Sequence, residues 1–194
     1  MTDPVLYLIA GPNGAGKSTL FDEIIGPETH LEFVNADVIA AEVWASDPAD
    51  GSYEAAQVAA SRRAELIEQR CSFATETVFS HDSKVDLVEK AVAAGYLVTL
   101  HVVMVPEDLA VARVADRVPV GGHAGPEEKV RQRYERLWPL VASAIRIVDS
   151  AIVYDNSRAA QPLRVVATWT RGRQLGQPEW PTWAPAPIRS SGFE

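Results

Sequence analysis

The sequence predicts an α/β protein whose mostly parallel sheet carries helices on both faces. Short runs rich in apolar and β-branched residues alternate along the chain with longer amphipathic segments, as in successive β-α-β units. The run over residues 96–105 is apolar almost throughout, which is typical of a strand that is covered on both faces. Polar residues follow several of the apolar runs, so we expect the functional side chains at the carboxyl edge of the sheet.

Each element is predicted from its own local pattern. Apolar and β-branched runs predict strands over residues 5–10, 31–35, 72–78, 96–105, 151–155 and 163–170. Amphipathic spacing predicts helices over residues 20–25, 38–44, 53–69, 83–94, 107–117 and 127–147. Gly26-Pro27 is expected to end the first helix, Asp37 to cap the second, and Pro139 to bend the last. The glycine-rich residues 119–126 predict an irregular loop.

The chain length of 194 residues predicts a single domain with additions. We expect this domain to span residues 1–173, with a lid at about 107–140. Residues 174–194 are rich in proline and tryptophan and predict an irregular tail. Trp180 and Trp183 are available to hold that tail against the body of the domain.

Charge and composition exclude several function classes. The net charge of -8 argues against broad binding to nucleic acid or to an anionic membrane. Cys71 is the only cysteine, which excludes an intramolecular disulfide framework and a zinc site built on cysteines. The sequence contains no run approaching about 20 apolar residues and no leader pattern at its start, so we expect a cytoplasmic protein.

The strongest motif lies between the first predicted strand and the first predicted helix. It fits the P-loop pattern G-x-x-x-x-G-K-[ST] and comprises Gly11, Pro12, Asn13, Gly14, Ala15, Gly16, Lys17 and Ser18, followed by Thr19. Backbone N–H groups of such a loop bind phosphate, so the motif predicts ATP as cofactor. Lys17 is expected at the β- and γ-phosphates, and the Ser18 hydroxyl is expected on Mg²⁺. A glycine-rich turn that binds nothing is the alternative.

Two carboxylates follow predicted strands and are candidates for chemistry. Asp37 could accept the proton of a substrate hydroxyl as a general base, hold Mg²⁺ through water, or only cap a helix. Glu76 could meet a substrate hydroxyl, a cation or Mg²⁺, because a buried carboxylate needs a partner. Its alternative is a salt bridge to Arg62 or Arg63. Glu76 and the neighbouring Thr77 are assigned to the substrate pocket.

Arginines in the predicted lid could act on the phosphates. Arg113 and Arg117 are four residues apart and therefore share one helical face. Arg113 could stack on the adenine while Arg117 reaches the transferred phosphoryl group. Arg131 or Arg133 could assist, although solvated pairing with nearby acids is the simpler reading of those charges. Asn156, after a later strand, could contact the base.

Several motifs in order resemble the zeta-toxin family of P-loop kinases. They are the P-loop with Thr19, Val-Asn-Ala-Asp at 34–37, Phe-Ala-Thr-Glu-Thr at 73–77, Gly-Gly-His at 121–123 with Pro126, Arg-Gln-Arg-Tyr at 131–134, and Tyr-Asp-Asn-Ser at 154–157. The resemblance implies a P-loop NTPase or kinase fold with an arginine-bearing lid. Residues 77–81 depart from the small residues and glycine that are frequent there in the family.

The resemblance also implies an activity and a partner. The best-studied members of the family phosphorylate UDP-N-acetylglucosamine from ATP and are held inactive by a small helical antitoxin. By this resemblance Lys17 contacts the phosphates, Asp37 is the catalytic base, Glu76 lines the sugar-nucleotide pocket and Arg117 stabilises the transferred phosphoryl group. No counterpart of the family's second lid arginine is evident in the sequence.

A different class of function is compatible with the P-loop alone. A nucleotide-binding regulatory module would bind and slowly hydrolyse ATP or GTP to switch a protein interface. The long apolar run ends in Val105-Pro106 rather than in the adjacent acids with which ATPases position water. The sequence also lacks an Asn-Lys-x-Asp segment for guanine. Both observations favour a kinase that phosphorylates a small-molecule acceptor.

Overall fold

Seven strands form one sheet in residues 3–43, 51–116 and 127–190, the part of the chain that the computed structural model describes. They are β1 (Val5–Ala10), β2 (Glu32–Val34), β3 (Phe73–Thr77), β4 (Leu97–Met104), β5 (Ser150–Asp155), β6 (Arg164–Thr170) and β7 (Arg173–Leu175). Their order across the sheet is β2-β3-β1-β4-β5-β6-β7. Strands β1 to β5 pair in parallel, whereas β6 and β7 are antiparallel. The predicted mostly parallel α/β sheet is confirmed.

Helices connect the parallel strands. They are α1 (Lys17–Leu20), a π-helical stretch (Phe21–Ile25), α2 (Gly26–Thr29), α3 (Ala36–Val43), α4 (Ser52–Glu68), α5 (Ser83–Ala93), α6 (Glu107–Asp116), α7 (Glu127–Ile145) and α8 (Ala186–Arg189). None of these helices combines the length and the apolar content that crossing a membrane requires. The glycine-rich loop predicted over 119–126 lies outside the described residues.

The core lies on both faces of the central strands. Val102, Val103 and Met104 follow one another in β4, and each has no exposed surface. Because consecutive strand residues point to opposite faces, this burial means that β4 is covered on both sides, as its apolar run predicts. In α7 the buried residues Leu137, Val141 and Ile145 recur every four positions, which gives the helix one apolar face.

The prediction that Gly26-Pro27 ends the first helix is wrong. Helical structure continues through the π-helical stretch into α2, where Pro27 lies in the first turn. The Gly26 N–H donates to the Phe21 carbonyl five residues earlier, so the regular i→i−4 bonding that a proline would interrupt is already absent at this point. The segment ends instead at His30, whose φ of 53° leaves the right-handed region.

The C-terminal segment packs onto the sheet and onto α7. Trp180 and Trp183 pack against the core, and the ring centroids of Trp180 and Trp169 are 6.0 Å apart. The Glu179 N–H donates to the Val166 carbonyl at 2.7 Å, and Ile188 of α8 is fully buried. Strand β7 and helix α8 lie where the sequence predicts irregular structure. The division into residues 1–173 and 174–194 stays a prediction.

Candidate active site

The P-loop joins β1 to α1 at the carboxyl edge of the sheet. Gly16 precedes α1 with φ 94° and ψ 30°, a left-handed conformation that glycine adopts at little cost. The Ala15 N–H donates to the Pro12 carbonyl at 3.2 Å and closes a turn within the loop. Lys17 is 6 % exposed, and its Nζ donates to the same carbonyl at 3.1 Å. The loop therefore has the folded form in which backbone N–H groups can bind a phosphate chain.

Glu76 at the end of β3 lies beside the P-loop. It occupies this place because β3 pairs with β1 in parallel, with Glu76 opposite Ile9. Its Oε2 accepts from the Ser18 hydroxyl at 3.0 Å, and its Oε1 is 3.5 Å from the Lys17 Nζ. Only 8 % of the Glu76 side chain is exposed. The buried carboxylate thus has its partners in the P-loop, so the alternative of a salt bridge to Arg62 or Arg63 is wrong.

Asn35 connects Glu76 to the beginning of α3. Its Nδ2 donates to Glu76 Oε2 at 3.2 Å, and its Oδ1 accepts from the Asp37 N–H at 2.8 Å. The Asn35 carbonyl also accepts the first helical bond, from the Ile39 N–H at 3.1 Å. Asn35 is therefore the N-cap of α3, and the prediction that Asp37 caps this helix is wrong. The exposed Asp37 lies one residue further along, in the first turn.

The side chains of Arg113 and Asn156 donate hydrogen bonds to backbone carbonyls of the P-loop. Arg113 donates to the carbonyls of Gly14 and Asn156 at 3.2 and 3.1 Å. The Asn156 Nδ2 donates to the Ala15 carbonyl at 2.8 Å, and its Oδ1 accepts from the Leu163 N–H at 3.2 Å. Helix α6 approaches so closely that a Cβ on Gly14 would lie 3.0 Å from the Arg113 Cβ. The stacking of Arg113 on adenine and the contact of Asn156 with a base both stay predictions.

Two adjoining cavities share the acidic residues. The first, which we call the strand-end cleft, has a volume of about 260 Å³ and is lined by Asn13, Lys17, Asn35, Ala36, Asp37, Ala56, Arg63, Glu76, Thr77, Val78, Phe79, Ser80, His81, Lys84 and Arg133. The second, the loop cavity, has a volume of about 210 Å³ and is lined by Asn13, Gly14, Gly16, Lys17, Ser18, Thr19, Asp37, Glu76 and Val114. Asp37 and Glu76 line both cavities.

The three other arginines considered for the lid differ in where they lie. Arg117 lies outside the described residues. Arg131 donates to Glu127, Asp108 and Glu107 at 2.8, 2.9 and 3.0 Å, and this hydrogen bonding, to Glu127 first, raises the pKa of its guanidinium. It forms the solvated ion pairs that the sequence favours for this region. Arg133 lines the strand-end cleft instead.

A family model described as an AAA domain matches residues 6–140, well over half of the chain. The chain belongs to the AAA domain family. The matched span runs from β1 through the P-loop and into α7, so it includes Lys17, Asp37 and Glu76. No curated protein matches this AAA-domain chain closely enough to count as a relative.

Solved structures share its fold at low sequence identity. A chain of the AvrRxo1-ORF1:AvrRxo1-ORF2 complex with ATP has a TM-score of 0.71 and 17 % identity, covering 89 % of this chain and 60 % of that one. A putative kinase from Chloroflexus aurantiacus J-10-fl has a TM-score of 0.64 and 15 % identity, and the match covers 82 % of this chain and 92 % of that one. A chain of the PezAT chromosomal toxin–antitoxin system of Streptococcus pneumoniae has a TM-score of 0.57 and 16 % identity, and the match covers 80 % of this chain and 68 % of that one. The AAA-domain chain therefore has a P-loop kinase-like fold, and it spans about 60 % of the length of the first of these neighbours.

Sequence reasoning named some residues of this site and missed others. The structure brings Lys17, Ser18, Asp37 and Glu76 together at the two cavities, and Thr77 lines the strand-end cleft. The residues that line the strand-end cleft and that the sequence analysis did not assign to the site include Asn35, Arg63 and Lys84. A sequence signal exists for two of them. Asn in Asn-Ala-Asp is a strong N-cap candidate, and the buried positions Ala55, Ala59 and Arg63 recur every four residues.

The loop cavity contains oxygen atoms that suit Mg²⁺ as ligands. The ion takes one or two carboxylates together with phosphate oxygens and waters. The Ser18 hydroxyl and the Glu76 carboxylate lie 3.0 Å apart, and Asp37 lines the same cavity. These oxygens fit the ion, and the remaining ligands would come from the phosphates and water.

Proposed function

We propose that this AAA-domain protein is an ATP-dependent kinase that transfers the γ-phosphoryl group to a hydroxyl group of a small molecule. The observation that carries the proposal is that Asp37 and Glu76 line both the loop cavity and the strand-end cleft. A phosphate chain on the P-loop would end at these carboxylates, and an alcohol in the strand-end cleft would reach them from the other side. Phosphoryl transfer needs this juxtaposition of donor, base and acceptor.

Each residue has a defined part in the proposed reaction. Asp37 accepts the proton of the acceptor hydroxyl, whose oxygen forms a bond to the γ-phosphorus while the bond from that phosphorus to the ADP oxygen breaks. Lys17 balances negative charge on the phosphates. Ser18 and Glu76 would hold Mg²⁺, which supplies further charge neutralisation when bound. Arg113 and Asn156 keep the P-loop in shape, and Arg117 is proposed to stabilise the transferred group.

For the acceptor and the partner we extend the proposal to a sugar nucleotide and an antitoxin-like protein. The order of motifs from the P-loop to 154–157 resembles the zeta toxins, for which UDP-N-acetylglucosamine is the acceptor. Two neighbours in fold come from a two-component complex and from a toxin–antitoxin system. These likenesses support UDP-N-acetylglucosamine as the first acceptor to test.

The test is a phosphorylation assay with labelled ATP, Mg²⁺ and a panel of UDP-N-acetylglucosamine, other sugar nucleotides, nucleosides and aminoglycosides, read by mass spectrometry. We expect one acceptor to gain the mass of a phosphate. Asp37→Asn should slow that transfer by about a hundred- to ten-thousand-fold while the affinity for an ATP analogue changes little. Lys17→Ala should weaken both analogue binding and transfer. Asp86→Asn, at an exposed aspartate on α5 outside both cavities, is the control.

The outcomes separate the competing functions. Release of free phosphate with every acceptor would favour the regulatory ATPase over the kinase. Full acceptor turnover by Asp37→Asn would remove Asp37 from the role of base, even if the protein is a kinase.

A further inference from the structure

Arg63 is a buried cation in the wall of the strand-end cleft. It lies on α4 in the row of buried residues Ala55, Ala59, Arg63 and Leu66, and only 7 % of its surface is exposed. Arginine is almost never buried to this extent without an anionic partner. The hydrogen bond that the structure gives it is a long one, from Nη1 to the Thr75 hydroxyl at 3.4 Å, and that hydroxyl donates to the Val34 carbonyl.

Lys84 places a second positive charge in the same wall. It lies in the first turn of α5, is half-buried, and together with Arg63 lines both the strand-end cleft and a further cavity. Across residues 3–43, 51–116 and 127–190, neither cation has a carboxylate within 4.0 Å. Burial lowers the pKa of Arg63, and burial together with the charge of Arg63 lowers the pKa of Lys84. Two cations thus face the cleft at a cost that a bound anion would offset.

The lining of the cleft therefore carries both signs of charge. Asp37 and Glu76 line the loop cavity as well as the strand-end cleft, whereas Arg63 and Lys84 line the strand-end cleft and not the loop cavity. His81 and Arg133 also line the cleft. A ligand that placed a hydroxyl at Asp37 and a negative group at Arg63 and Lys84 would match this distribution of charge.

We propose that Arg63 and Lys84 form an anion-binding subsite and that the acceptor is an alcohol carrying a phosphate or carboxylate group. The inference rests on the proposed kinase function, because the subsite selects an acceptor only if the cleft phosphorylates one. A planar guanidinium binds both anions through paired hydrogen bonds, and an ammonium group adds a point charge. The cleft volume of about 260 Å³ suits a small group rather than a protein chain. Cationic acceptors such as aminoglycosides are excluded by this proposal.

A matched pair of probes tests the subsite without relying on turnover. Glycerol 3-phosphate and glycerol share hydroxyl groups but differ in charge. Their binding is measured by calorimetry on the full chain, in the presence of Mg²⁺ and a saturating non-hydrolysable ATP analogue that covers the P-loop. We expect glycerol 3-phosphate to bind more tightly than glycerol. Arg63→Met and Lys84→Met should each weaken its binding by about ten- to hundred-fold and leave glycerol binding unchanged.

Control variants come from the same helices. Arg62→Met removes a neighbouring arginine of α4 that pairs with Glu32 and Glu65. Lys90→Met removes an exposed lysine of α5 that lines the further cavity but not the strand-end cleft. Both should bind glycerol 3-phosphate as the parent protein does. Thermal unfolding supplies a second readout. If Arg63 serves ligand binding, Arg63→Met should unfold at the same or a higher temperature, because an uncompensated buried charge is removed.

Three results would overturn the inference: equal binding of the two probes to the parent protein, equal weakening by Arg62→Met and Arg63→Met, or unchanged glycerol 3-phosphate affinity in both Arg63→Met and Lys84→Met. If Arg63→Met fails to fold, Lys84→Met with its Lys90→Met control decides alone. The kinase proposal fails separately. Selective loss of glycerol 3-phosphate binding in the variants, combined with no phosphorylated product from any acceptor, would leave an anion site in a protein that is not a kinase.

Discussion

Replacement of Asn35 tests how the site is assembled, because this one side chain joins α3 to Glu76. Its carboxamide oxygen caps α3 at the Asp37 N–H, and its Nδ2 donates to the Glu76 carboxylate. The residue is only 5 % exposed, so water cannot readily replace either bond in a variant. Asn35→Ala removes both bonds. Asn35→Ser keeps a residue that can cap the helix but cannot reach Glu76.

The magnitudes follow from the two bonds. Loss of an N-cap costs about 1 kcal/mol, and loss of a hydrogen bond to a charged group costs about 2 kcal/mol. We therefore expect Asn35→Ala to lower the free energy of unfolding by about 3 kcal/mol and Asn35→Ser by about 2 kcal/mol. For a chain of this size, about 3 kcal/mol corresponds to a fall in melting temperature of roughly 6–12 °C.

Asn35→Asp supplies the sharpest comparison. It preserves the shape of the side chain and the capping oxygen, but it replaces the Nδ2 donor, 3.2 Å from Glu76 Oε2, with a second carboxylate oxygen. Like charges so close in a buried site repel strongly, so this variant should be less stable at neutral pH than Asn35→Ser. Urea unfolding measures all three variants, and the phosphorylation assay then measures kcat. We expect kcat to fall in Asn35→Ala more than the affinity for ATP, because Asp37 loses its anchor.

A particular pattern of results would refute this reasoning. If Asn35→Ala loses less than about 1 kcal/mol and Asn35→Asp is as stable as the parent protein, the two bonds do not contribute as the geometry indicates. If kcat is unchanged in a variant that has lost both bonds, the position of Asp37 does not depend on the cap.

Two further predictions concern the core and the P-loop. Burial lowers the pKa of His101 to about 4, below its ordinary 6.5, so the unfolded chain binds more protons and stability is lost as pH falls from about 7 towards 4. His101→Phe should therefore abolish a loss of about 2 kcal/mol between about pH 7.5 and pH 5 in urea unfolding, whereas His30→Asn, at an exposed histidine, should retain it. Asn156→Ala removes the bond to the Ala15 carbonyl and should weaken binding of an ATP analogue by about ten-fold, with glycerol 3-phosphate binding unaffected. An unchanged analogue affinity would show that the P-loop keeps its shape without Asn156.

Local patterns predict much of the fold because its elements depend on nearby residues. The P-loop is recognisable because a strand, a glycine-rich turn and a lysine follow one another within a short segment. The apolar run of β4 predicts its burial on both faces for a similar reason. The antiparallel pairing of β6 and β7 is not predictable in this way. The pairing depends on which strand at the edge of the sheet still has unpaired backbone groups, and this is a property of the whole fold.

The candidate site is less predictable because its contacts join distant parts of the chain. Asn156 and Ala15 are 141 positions apart, so no local sequence pattern predicts the hydrogen bond from the Asn156 side chain to the Ala15 carbonyl. Glu76 lies close to Lys17 only because β3 pairs with β1, and local sequence patterns do not predict which strands are neighbours. The burial of Arg63 follows from the periodicity of α4, yet its exposure to the strand-end cleft depends on where β3 and α5 pack.

The two halves of the proposed site differ in how they are held. On the P-loop side, Arg113 and Asn156 bind the carbonyls of Gly14 and Ala15, so the loop is already ordered before a phosphate arrives. Order established during folding lowers the cost of binding, which favours a fixed and general ATP site. On the other side, Arg63 is buried and Lys84 is half-buried, and neither has a carboxylate partner among the described residues. An anionic acceptor would therefore gain most of its selectivity there, because only it compensates those two charges.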